Sequence, residues 1–204
     1  QTLMGCLAFA NRLASSPYRK ALHGITLTNE TSYLGFNLEK PFCRELFKGY
    51  LQRKFGDIEK FNRRTCEHFE SFDAVAAANS SKPAVKYELT LCRSQLFADW
   101  HEWMASQVKA ALPEVPVAAK FTTIPGIDPV FMEHGVDPEL YRSFFDYSGN
   151  DNVMFYNGGN SSYSIGWQNT AIANEFQLSV QGKSIANTEN HVISDNDSSV
   201  IPPQ

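Results

Sequence analysis

The chain reads as an α/β protein built on a parallel sheet, and three observations predict that class. Four short, mostly apolar segments recur along the 204 residues, each runs into polar residues or glycine, and stretches of helical spacing lie between them. Apolar runs with little alternation suit strands buried on both faces, and helical crossovers make neighbouring strands parallel. One domain over residues 1–204, without linker, repeat or low-complexity tract, is the expected organisation.

The opening stretch, QTLMGCLAFANRLA, lacks the basic start and small-residue cleavage site of a signal peptide and reads as a helix already under way. GITLTNE (24–30) is the first expected strand. Residues 41–65 carry Leu46, Phe47, Tyr50 and Leu51 at helical spacing with charges opposite, and Gly56-Asp57 is expected to divide them into two helices. A further amphipathic helix, 91–112, sets Leu96, Trp100, Trp103 and Val108 on one side and stops at Pro113. PVAAKFT (116–122) is the second strand; residues 31–115 are long for one crossover, so the extra helices there read as inserted decoration. In GVDPELYRSFF (135–145), Asp137 suits an N-cap and Pro138 the first helical position. NVMFYNGG (152–159) is the third strand, 167–181 the last helix, ended by Gly182, and KSIANTEN (183–190) the fourth strand. No helix follows to close that strand before the final SSVIPPQ, so the sequence predicts a piece cut from something longer.

Hydrophobic residues make up 43% of the chain and charged residues 20%, which fits a folded globular protein and excludes general disorder. A net charge of −4 gives no basic field to hold a phosphate backbone. No apolar run reaches the roughly 20 residues of a membrane-spanning helix. Neither nucleic acid nor a membrane is therefore an expected partner. Cys6, Cys43, Cys66 and Cys92 are widely spaced, without CxxC, which argues against zinc and thioredoxin-type chemistry. Buried free thiols are the expectation, with disulfide pairing left open. Asn-x-Ser/Thr sequons begin at Asn29, Asn79, Asn160 and Asn196, a pattern too short to fix a compartment.

Chemistry concentrates at two strand ends. The first strand finishes in Asn29-Glu30 and the fourth in Glu189-Asn190-His191. Ligands of parallel α/β sheets and barrels bind at the C-terminal ends of strands. Two carboxylates brought there by separate strands are the minimum for glycoside hydrolysis, one as a protonated acid and the other as an ionised nucleophile or base. Their proximity splits the two pKa values, because like charges a few ångströms apart resist double ionisation.

GITLTNE followed by FKGYLQRKFGDIEKFN resembles the acid/base strand and following helix of clan A glycoside hydrolases, especially the family 42 β-galactosidase-like enzymes, and NTENHVISD resembles their nucleophile strand. The resemblance covers nearly the whole chain. It implies a partial (β/α)8 TIM barrel, about strands four to seven with covering helices, in which Glu30 and Glu189 come from the fourth and seventh strands. It also implies retaining hydrolysis of a β-galactoside-like substrate, with Glu30 as general acid/base, Glu189 as nucleophile and Asn29 on the sugar 2-hydroxyl. Tyr156 stands where such enzymes often have a tyrosine that orients the nucleophile. Lys120 is expected at the same mouth, His191 as a supporting donor, and Trp167, Tyr33 and Phe121 as apolar surfaces for a pyranose. The substrate is a carbohydrate, no cofactor or metal is implied, and exposed barrel edges predict association. Retention requires carboxyl groups roughly 5–5.5 Å apart.

Competing motifs are incomplete. Asn174-Glu175 falls inside the helix expected over 167–181, so Glu175 is expected in solvent. His101-Glu102 begins like HExxH, but position 105 is Ala; Asp195-Asn196-Asp197 begins like a calcium loop without its Gly and closing Glu. A different class of function, a non-catalytic carbohydrate-binding or structural fragment, is the alternative the sequence leaves open.

Overall fold

The computed structural model describes residues 2–29, 32–121, 134–153 and 163–191. Its helices are α1 (Thr2–Ala14), α2 (Pro41–Phe55), α3 (Ile58–Thr65), α4 (Phe72–Ala77), α5 (Pro83–Ala111) and α6 (Tyr163–Gln181). Its strands are β1 (Ile25–Asn29), β2 (Val117–Phe121), β3 (Ser148–Val153) and β4 (Ile185–His191). They form one sheet in the order β1-β2-β3-β4, with every neighbouring pair parallel. β2 is buried at all five residues, as a strand covered on both faces is. Its start is locked by Asp146: the Asp146 amide donates to the Val117 carbonyl at 2.9 Å, and the Val117 amide donates to Asp146 Oδ2 at 2.7 Å.

Three strands lie within two residues of their expected ends; the third does not. Hydropathy predicts the apolar run 152–159, whereas β3 begins at Ser148 and is mostly polar, and 154–159 lie outside the described residues. Packing explains the choice of this segment. Gly149 brings the backbone so close to β2 that a Cβ there would lie 2.4 Å from the Ala119 carbonyl oxygen. Asn150, 2% exposed, spends its amide on α6, donating from Nδ2 to Asn174 Oδ1 and Gln177 Oε1 at 2.7 Å each.

The helical break at Gly56-Asp57 is present. Gly56 adopts φ 79°, which a side chain would strain, and Asp57 caps α3 by accepting from the Lys60 amide at 2.8 Å. α5 starts at Pro83, well ahead of residue 91, because its buried stripe continues backward through Cys92, Leu89 and Val85. Toward its end the stripe is Phe97, Ala98, His101, Met104, Ala105 and Val108, all buried. The buried side is thus rotated from the expected one: Trp100 and Trp103 flank the stripe, 37% and 39% exposed. Residues 135–145 give a 3-10 turn, Pro138–Ser143, in place of an α-helix. Asp137 caps it through the Glu139 amide at 3.1 Å, and the chain turns at once to join Asp146 to Val117, leaving no length for a longer helix. α6 begins four residues before the expected 167 and ends at Gly182, with φ 63°.

Contacts divide the chain into two units. One holds α1, the four strands, α5 from Ala98 onward and α6; the other holds residues 32–97 with 134–136. The second unit is an aromatic helical core in which Phe47, Leu51, Phe61, Val75 and Val85 are wholly buried and Phe55 meets Phe61 edge-on at 5.1 Å. Cys43 and Cys92 are buried free thiols, as expected, and burial pushes the Cys92 thiol up to about 12. Cys66 departs from that expectation: it is exposed at the end of α3, in left-handed conformation. Among the described residues no helix is long and apolar enough to cross a membrane.

Candidate active site

The parallel ladder brings several of the expected residues to one edge of the sheet. Asn29, the last residue of β1, pairs with Lys120 on β2, and Lys120 pairs with Gly149 on β3. One step further, Phe121 pairs with Asn150 and Asn150 with Asn187. Beyond these, Glu189, Asn190 and His191 pair with Asp151, Asn152 and Val153. Asn29, Lys120, Phe121, Glu189, Asn190 and His191 lie in the C-terminal parts of their strands, where parallel sheets bind ligands, while Gly149, Asn150 and Asn187 lie nearer the starts of theirs.

Each expected residue has a distinct standing. Asn29 is exposed, and Lys120 is 2% exposed. Glu189 and His191 are placed by backbone, in β4. Trp167 is placed likewise, in the second turn of α6, at the helix end that follows β3. Glu30 and Tyr156 lie outside the described residues, Glu30 directly after Asn29. One aromatic expectation is corrected. Phe121 is 2% exposed and packs on Tyr141 at 4.6 Å, so it has no face for a sugar. Tyr33 stacks on Phe97 at 5.8 Å inside the second unit.

The structure also gives roles to residues that motif reasoning sets aside. His101, half of an incomplete metalloprotease motif, is wholly buried, with Nε2 3.0 Å from Thr28 Oγ1. Its ring lies edge-on to Tyr141 at 5.4 Å and to Phe145 at 6.0 Å. Tyr141 is buried, its hydroxyl without a hydrogen-bond partner among the described residues, and burial pushes its pKa up, with Asp137 adding to the effect. Asn174, half of the second Asn-Glu pair, binds Asn150, while Glu175 is exposed as expected. The HE and NE motifs carry no signal for these contacts, because each depends on a strand–helix packing unseen in local sequence.

Solved structures share this fold over part of their length. The exo-carrageenase GH42 of Bacteroides ovatus superposes with a TM-score of 0.68 at 20% identity, covering 91% of this chain and 28% of that one. The β-galactosidase of the psychrophilic Marinomonas ef1 gives 0.67 at 11% identity, covering 91% and 30%. The β-galactosidase of Bacillus circulans sp. alkalophilus gives 0.59 at 17% identity, covering 86% and 26%. No family model matches the chain, and no curated protein matches it. At these identities the likeness is one of fold: a mixed α/β chain with a parallel sheet that corresponds to part of glycoside hydrolase structures. The chain spans less than a third of the length of each of these three structures.

Proposed function

We propose that the chain is the central part, about strands four to seven, of a (β/α)8 glycoside hydrolase barrel, and that the barrel hydrolyses β-galactoside-like bonds with retention. In this reading Glu30 protonates the departing oxygen while Glu189 attacks the anomeric carbon. Water then releases the sugar, with Glu30 acting as base. Asn29 binds the sugar 2-hydroxyl, Tyr156 orients the nucleophile, and Trp167 and His191 line the substrate, while Lys120, 2% exposed, stands beneath them in β2. The substrate is a carbohydrate, and the chemistry needs no organic cofactor.

The observation that carries the reading is the parallel sheet, whose C-terminal edge bears Asn29 on its first strand and Glu189 on its last. The fold likeness to a GH42 exo-carrageenase and to β-galactosidases over most of the chain supports it. Geometry adds a requirement. Three interstrand steps of about 4.8 Å would put β1 and β4 about 14 Å apart in a flat sheet. Carboxyls at about 5–5.5 Å therefore require both glutamate side chains to converge across that span.

The test is turnover of an aryl β-galactoside by the 204-residue chain and by a longer reading frame that includes it, beside Glu189→Gln and Glu30→Gln. Turnover that falls at least about 1000-fold in Glu189→Gln, with product of retained anomeric configuration, is expected. Inverted product, or a Glu189→Gln variant at parental rate, would overturn the assignment.

A further inference from the structure

The strand that precedes Glu30 and the strand that carries Glu189 share an irregularity. Along β1, Thr26 pairs with Ala118 but Asn29 with Lys120, so Leu27 and Thr28 stand opposite Ala119 alone. Along β4, Asn187 pairs with Asn150 but Glu189 with Asp151, which leaves Thr188 without a partner residue. Each is a one-residue insertion, the count of a β-bulge, while the described pairing of β2 with β3 runs without a shift. An insertion of one residue reverses the sheet face of everything after it, so it decides how the following residues are presented.

Each insertion also contains a threonine whose hydroxyl is tied to a fixed group. Thr28 Oγ1 lies 3.0 Å from Nε2 of His101, a ring wholly buried among aromatic side chains. Thr188 Oγ1 donates to the Asn150 carbonyl at 3.1 Å. Asn150 is itself held through its Nδ2 by Asn174 and Gln177 of α6. In β4 the hydroxyl thus gives the Asn150 carbonyl a donor at the point where the ladder is interrupted.

We propose that Thr28 and Thr188 are positioning residues: their tethered hydroxyls hold the two bulges that set the register of Asn29 at the end of β1 and of Glu189 within β4. The proposal rests on the reading of Glu30, next after Asn29, and Glu189 as acid/base and nucleophile. The demand is steep, because one step of register moves a residue by about 3.3 Å, whereas a misplacement of about 1 Å can cost about 100-fold in rate. A bulge free to migrate along its strand would lose the carboxylate pair in most of its registers.

Thr188→Val removes the hydroxyl at nearly constant shape and Thr188→Ser restores it; Thr28→Val and Thr28→Ser do the same in β1. In the active form of the chain, each Val variant is expected to lower kcat about tenfold or more, with KM within about twofold, and each Ser variant to recover most of the rate. Backbone amide exchange in β4 is expected to quicken about tenfold in Thr188→Val and to stay parental in Thr188→Ser. Parental kcat in the Val variants, or equal loss in Val and Ser, would overturn the proposal. If neither length of the parent chain turns over substrate, the hydrolase reading falls, and amide exchange alone decides the tether: parental exchange in Thr188→Val refutes it, while quickening confined to β4 and reversed by Ser supports it.

Discussion

At Gly149 two strands meet so closely that one hydrogen stands where any other residue has a carbon. The obstructing atom is the carbonyl oxygen of Ala119, which would lie 2.4 Å from a Cβ at this position and belongs to a fully buried strand, so no rotamer change relieves the clash. Gly149→Ala is expected to cost about 3 kcal/mol, read as a lowered urea midpoint; a midpoint equal to the parent's would show that β2 and β3 can separate at no cost. The same residue explains why the third strand is hard to place from sequence. Hydropathy favours the apolar 152–159, but the ladder is built on Ser148, Gly149 and Asn150, a small residue for close approach and an amide for α6. His101 shows the same limit. A buried imidazole bonded across 73 residues to Thr28 has no local signature, so an incomplete HExxH pattern is all the sequence offers there. The C-terminal placement of Asn29 in β1 and of Glu189 in β4 is legible, because it needs only the strand and its direction.

At the scale of elements, what sequence resolves well are caps and breaks: Gly56, Asp57, Asp137 and Gly182 all stand where a helix starts or stops. Asp146 is not among them, although it fastens β2 to the segment leading into β3. Its carboxylate accepts from the Val117 amide and lies 2.7 Å from Lys109 Nζ. Burial opposes ionisation, but the hydrogen bonds from Lys109 and the Val117 amide, with the charges of Lys109 and Lys183, outweigh it and hold the carboxyl below its usual range. A depressed folded-state pKa gives stability that is complete above the unfolded value of about 3.9 and is lost as pH falls through the lower folded value. Asp146→Asn keeps an acceptor for Val117 and removes the charge. It is expected to lose about 1 kcal/mol at neutral pH, discounted for the partial exposure of the pair, with the difference from the parent closing as acid titrates Asp146. Denaturant melts of both proteins from pH 7 to pH 2 give the comparison. A gap that stays constant to the lowest pH would assign the loss to altered geometry in place of charge.

At the scale of the whole molecule, the sheet poses a problem of closure. β1 and β4 each pair with one described strand, so each presents a row of backbone N–H and C=O groups along its other side. Such edges template pairing with another chain unless further strands, bulges or charges cover them. The bulges in β1 and β4 shorten the regular edge without removing it. The solved structures that share the fold are more than three times as long as the chain's match to them, room enough for the strands that would close a barrel. Two consequences should then move together. The 204-residue chain is expected to associate as its concentration rises, seen as growth of the weight-average mass in sedimentation or light scattering, and a longer reading frame that supplies the neighbouring strands is expected to stay monomeric. Turnover of the aryl β-galactoside is expected only where the edges are satisfied, because the remaining strands and loops of a barrel supply part of the substrate pocket. A 204-residue monomer that is active on its own would refute both, since it would turn over substrate with its sheet edges uncovered.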